Sequence, residues 1–154
     1  MRRVLVLTVA MAVMLALAAP AGATPPSEVS IEVEMSLLWA PSPFVASGPA
    51  VDSGLMCDEG AAIQVFGKVT GSQSKKGYVN IQAIHQFTCD DGSGDFLVKL
   101  QVRGNQDGNN FHWNIVGGTG DYEDLHGSGK GVGLPICGPD CVFDVYTGGL
   151  HIDG

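Results

Sequence analysis

"GGTGDYEDLHGSGKGVG" (Gly117–Gly133) is the stretch on which the fold turns. Its second half sets Gly127, Gly129, Gly131 and Gly133 at every second residue, alternating with Ser128, Lys130, Val132 and Leu134. Successive side chains of a strand point to opposite faces, so one face here carries none. A bare face permits tight curvature or the close approach of a large neighbour such as an aromatic ring. The first half, Gly117-Gly118-Thr119-Gly120, is a turn. Its glycines allow φ > 0, and Thr119 or Asp121 can bond the local backbone. A phosphate loop is excluded, because Gly131 follows Gly129-Lys130 where Ser or Thr is needed, and Asp124 stands where the first glycine belongs. A dinucleotide fingerprint fails at Glu123, and the repeat-type calcium motif fails at Tyr122.

The rest of the chain is patterned for strands. Val29, Ile31, Val33 and Met35 alternate with polar residues, and a short edge strand is expected around Phe44 to Ala46. Ile63, Val65 and Val69 alternate through the next segment, where Gly67 suggests a bulge. "YVNIQAIHQFTC" is the clearest strand, with Val79, Ile81, Ala83, His85, Phe87 and Cys89 on one face. Phe96, Val98, Leu100 and Val102 follow the turn "DDGSGD", and Phe111, Trp113 and Ile115 follow the hairpin signal Asp107-Gly108. Val132–Leu134 and Val142–Ile152 close the chain. No segment keeps helical periodicity over three turns. Seven or eight strands on short turns predict an all-β domain, either a closed antiparallel barrel or a sandwich.

The ends and the composition point outside the cell. Arg2 and Arg3, an apolar stretch from Val4 to Ala19 and Ala21-Gly22-Ala23 form a secretory signal peptide over residues 1–23. The apolar stretch is shorter than a membrane span, so no membrane association is expected. Residues 24–154 then make a single domain. The chain holds 8 basic and 16 acidic residues, and loss of Arg2 and Arg3 moves its net charge from −8 to −10. Such an acidic, scattered balance argues against nucleic acid as a partner. Cys57, Cys89, Cys137 and Cys141 are an even set, expected as two disulfides in an oxidising compartment. Gly138-Pro139-Asp140 is a turn that brings its flanks together, so Cys137 is paired with Cys141 and Cys57 with Cys89. Zinc is disfavoured because no C-x-x-C or paired histidine spacing is present. The acidic turn at Asp90, Asp91 and Asp95 does not fit a calcium-loop register. No metal and no cofactor is expected.

With these residues in view, "IVGGTGDYEDLHGSGKG" (Ile115–Gly131) resembles the GGTG signature of the allene oxide cyclase/dirigent barrel superfamily, and the chain is similar to small secreted bacterial proteins that carry it. The resemblance implies an eight-stranded antiparallel barrel with an apolar cavity, often a homo-oligomer. It makes Gly117, Gly118, Thr119 and Gly120 the tight turn, Tyr122 and Leu125 packing positions, and Gly127 the opening of the next strand. It carries over no catalytic residue, since nothing outside the turn matches.

Among the residues that could make a site, His85 sits on the apolar face of the clearest strand and so points into a barrel. Phe87 and Trp113, with Phe111 and Tyr146, could line a cavity or fill the core. Arg103 is expected at the surface against an acidic neighbour, and His112, His126 and His151 show no ligand-like spacing. The expected function is binding of a small apolar ligand, with His85, Phe87 and Trp113 as contacts. The alternatives are a cyclase-like or dirigent-like enzyme on a lipid or phenolic, and an extracellular partner-binding or assembly protein.

Overall fold

The computed structural model describes residues 25–70 and 77–152, so the expected leader lies outside the described residues. Eight strands form one closed antiparallel barrel in which each pairs with its neighbour in the chain. They are β1 (Ser27–Ser36), β2 (Ser42–Ser47), β3 (Glu59–Thr70), β4 (Val79–Cys89), β5 (Asp95–Asn105), β6 (Gly108–Gly118), β7 (Leu125–Leu134) and β8 (Cys141–Ile152). β8 returns to β1 along a ladder from Ser27↔Leu150 to Ser36↔Cys141, which closes the wall, while β2 covers only Glu59–Ala62 of β3. A four-residue helix, α1 (Pro49–Asp52), and a single 3₁₀ turn at Gly120–Tyr122 are the other regular elements described.

The expected inward faces of β1, β4, β5 and β6 are the observed ones: Val29 to Met35, Ala83 to Cys89, Phe96 to Leu100 and Phe111 to Ile115 are buried at alternate positions. β3 differs from its expected face. Gly60, Ala62 and Gln64 point inward, while Ile63 and Val65 lie on the outside. Small residues are required here because Phe44 and Phe87 occupy the space: Ala62 stands opposite Phe87, and a Cβ on Gly60 would come within 2.7 Å of the Phe44 ring. The bulge of β3 falls at Val65 rather than Gly67, where the register slips between Gln64 and Phe66. The extra residue reverses the alternation, so Gly67 and Val69 then share a face with Ala83 and Ile81. A second slip, at Val116 in β6, lies just before the glycine turn.

The glycine face of β7 points into the barrel. A Cβ at Gly131 would run into the Phe111 ring, and one at Gly129 would stand 2.8 Å from Trp113 and 2.7 Å from the Cα of Gly148. These glycines are needed for space, not for backbone torsion. Trp113 lies against Gly129 and Gly148 together, and its Nε1–H donates to the carbonyls of Lys130 (3.1 Å) and Thr147 (3.2 Å). β7 opens at Leu125, two residues before Gly127.

The Gly117–Gly120 turn is structural. Thr119 N–H donates to Asp95 O (2.8 Å), Asp121 N–H to Ser93 O (2.9 Å) and Asp95 N–H to Thr119 Oγ1 (3.1 Å), joining the turn to the β4–β5 hairpin. Gly120, at φ +62°, and Gly94, at φ +142°, let the two backbones meet. Tyr122 then plugs this end of the barrel. Its hydroxyl accepts from Cys57 N–H (3.1 Å) and bonds Ser93 Oγ (2.8 Å) beside the Cys57–Cys89 disulfide. The second disulfide joins Cys137 to Cys141 across the β7–β8 turn. Asp91, considered above for calcium, accepts from Ser93 N–H (2.9 Å) and Oγ–H (2.5 Å) and so caps its own turn.

Two outcomes test this packing. Gly129→Ala is expected to lower unfolding free energy by about 1–3 kcal/mol, while Ser128→Ala on the wet face of the same strand stays within about 0.5 kcal/mol. Equal effects in denaturant titration would contradict the inward glycine face. Replacing the Cys57–Cys89 pair with alanines is expected to cost about 3–4 kcal/mol, against about 2 for Cys137–Cys141, because the first closes the longer loop.

Candidate functional site

The barrel is solid at one end and hollow at the other. In the solid half Phe87 is fully buried. It stacks on Phe96 with centroids 5.0 Å apart and meets Phe44 edge-on at 5.2 Å. Tyr146 sits at the centre, 4.8 Å from Phe111, 5.6 Å from Phe87 and 6.3 Å from Trp113. Edge-to-face pairs of this kind contribute beyond their buried area, on the order of 1 kcal/mol each.

The Tyr146 hydroxyl reaches His85 Nδ1 at 2.7 Å, so strands β8 and β4 are joined across the bore. In the tautomer that carries the His85 proton on Nε2, the phenol O–H is the donor. Burial lowers the His85 pKa from 6.5 to about 4, which keeps the ring neutral at ordinary pH. Burial, followed by the nearby Asp144, raises the Tyr146 pKa well above 10.

Beyond this bond lies a cavity of about 380 Å³ at the end formed by the β5–β6 turn and the start of β8. Met35, Val79, Ile81, Leu100, Val102, Phe111 and Val142 supply its apolar wall, and Gln64, His85, Asn109 and Asp144 its polar points. Its size is in the range of small-molecule sites, and its mix of apolar wall and few polar groups is typical of them. A depression on the outer face, along Gln101, His112 and Lys130, is larger at about 630 Å³ but is floored by the barrel wall itself. The space inside the bore, with its apolar wall and inward polar groups, is the better site.

His85 is the one of the three expected contacts that lines this cavity. Phe87 is sealed in the aromatic stack and Trp113 is held against β7 and β8, because both rings are spent on filling the solid half. Sequence reasoning missed Gln64 and, above all, Asp144. Asp144 is 5 % exposed, and burial lifts its carboxyl from 3.8 to about 7. Its signal was the alternation Val142, Asp144, Tyr146, Leu150, blurred by Phe143 and Val145 on the opposite face.

Other residues settle elsewhere. Arg103 lies over the Tyr78 ring, 5.2 Å from its centre, instead of against an acid. His126 and His151 are cross-strand partners on β7 and β8 with rings 5.6 Å apart, a pairing that only register reveals. Around the hollow end, Leu37, Leu38, Trp39, Leu134 and Ile136 are exposed at 40–70 %.

No protein-family model, curated protein or solved structure matches the chain. No helix among the described residues is long and apolar enough to cross a membrane.

The two buried titrating groups oppose each other. A neutral His85 contributes stability present above pH 6.5 and lost as pH falls through 4; a protonated Asp144 contributes stability present below 3.8 and lost as pH rises through 7. Between about pH 4 and 6.5 the pair should therefore cancel, each state of the chain holding one proton between them. In Asp144→Asn the His85 contribution is unmasked, and stability relative to wild type is expected to fall from pH 6.5 to 4. In His85→Gln it should fall, relative to wild type, from pH 4 to 6.5. Denaturation midpoints of both variants that track the wild type across pH would contradict these assignments.

Proposed function

We propose that this is a secreted barrel that carries a small apolar molecule in its hollow half. The cavity of about 380 Å³ carries the reading, since a barrel of this size could have filled its whole bore with side chains and fills only half. The apolar leader at residues 4–19, the two disulfides and the acidic composition support a place outside the cell. The family resemblance of the Gly117–Gly120 turn supports a barrel that holds an apolar guest, and the turn itself lies at the opposite end from the cavity.

A second reading is a cyclase-like or dirigent-like enzyme on a lipid or phenolic. One observation favours it: two buried titratable side chains, His85 and Asp144, line the cavity, and His85 is hydrogen-bonded to the buried Tyr146 behind it. Such groups with pKa values pushed apart are what proton transfer to a guest requires.

Native mass spectrometry of the protein purified from culture medium tests the carrier reading. A bound adduct of small-molecule mass, displaced by a saturating apolar competitor and recovered chemically unchanged, is expected. A guest converted on incubation would favour the enzyme. A cavity that takes up no apolar compound at millimolar concentration would refute both.

A further inference from the structure

Among the described residues, the hollow half is lined by one carboxyl group and no basic counter-ion. Asp144 is the only acidic residue among the described residues that line the cavity, and none of them is Lys or Arg. It faces inward from β8 between Val33 of β1 and Gly133 of β7. The bare position at Gly133 makes room for it, because a Cβ there would stand 2.6 Å from Asp144 Oδ1. A buried acid without a charged partner costs stability, and its removal by a neutral isostere would relieve that cost. The cost is offset if the missing partner arrives with the ligand.

We propose that the hollow half binds a small apolar ammonium ion, its nitrogen paired with Asp144 and its hydrocarbon part against Met35, Ile81, Leu100 and Val142. This rests on the carrier reading and names the chemistry of the guest. An ammonium gains an ion pair as well as a hydrogen bond in a low-dielectric site; an alcohol gains only the hydrogen bond to the carboxylate, and a carboxylate meets a like charge. The net charge of −8 favours approach of cations. Among the described residues, His85 and Tyr146 are the other titratable groups on the bore near Asp144, and both are neutral at pH 8. The inner faces of β1 and β7 on either side of Asp144, Val29 to Met35 and Leu125 to Gly133, carry no titratable side chain. Asp144, which titrates at about 7, is ionised at pH 8 and largely protonated at pH 5.

Isothermal titration of the purified protein with hexylamine, 1-hexanol and hexanoate tests the assignment. At pH 8 hexylamine is expected to bind about tenfold more tightly than 1-hexanol, with hexanoate weakest. Asp144→Asn should abolish the amine's advantage over 1-hexanol at pH 8. In the wild type the advantage should shrink between pH 8 and pH 5, an arm that needs no variant. Equal binding of amine and alcohol, or an advantage that survives in Asp144→Asn or is unchanged at pH 5, overturns the ammonium assignment and leaves the carrier reading standing. Failure of both alcohol and amine to bind overturns the two together.

Discussion

The hydrogen bond from the Tyr146 hydroxyl to His85 Nδ1 is the contact around which this barrel is organised. It spans the bore between strands four places apart in an eight-strand wall, and it divides the interior. On one side Phe44, Phe87, Phe96, Tyr146 and Trp113 pack by edge contacts and one stacked pair. On the other side the wall is apolar and the space is open. A buried phenol and a buried imidazole each need a partner, and each satisfies the other. Both are held neutral by their surroundings, His85 by desolvation and Tyr146 by desolvation with a carboxyl two residues away.

Bulky rings on one wall demand absent side chains on the other. Phe111 and Trp113 project from β6 onto Gly131 and Gly129 of β7, and Trp113 also covers Gly148 of β8. Phe44 and Phe87 meet Gly60 and Ala62 of β3 in the same way. Large rings on one strand thus meet small residues on a neighbouring one, which lets both fit inside a small barrel. Gly133 follows the same rule at the rim of the hollow half, where the groups it admits are the Asn109 amide and the Asp144 carboxyl rather than a ring. The glycines shape both the core and the site.

Much of this was legible in the residues. Strands with one apolar and one polar face, such as β4 and β5, could be assigned because alternation has only one solution there. β3 could not, because the bulge at Val65 reverses the alternation midway and the inward residues are the small ones. β8 hid Asp144, since Val142, Phe143, Val145 and Tyr146 make both faces apolar and leave no obvious inside. The His126–His151 pair depends on register between strands, which no spacing along the chain encodes. The aromatic residues gave a different difficulty. Phe87 and Trp113 were correctly placed on inward faces, but whether a ring fills the core or borders a cavity depends on what stands across the bore. A cavity is a difference between volumes contributed by opposite walls, and only the closed barrel shows where that difference is positive.

Methyl-resolved NMR during a titration with 1-hexanol addresses the division of the barrel most directly. The account requires chemical-shift changes at Val79, Ile81, Leu100, Val102, Met35 and Val142, which line the hollow half. Val29, Ile115, Leu125 and Leu150, packed in the solid half, should stay unmoved. Shifts confined to the exposed Val45, Val65 and Val116, or spread equally over both halves, would contradict a single interior site above the Tyr146–His85 bond.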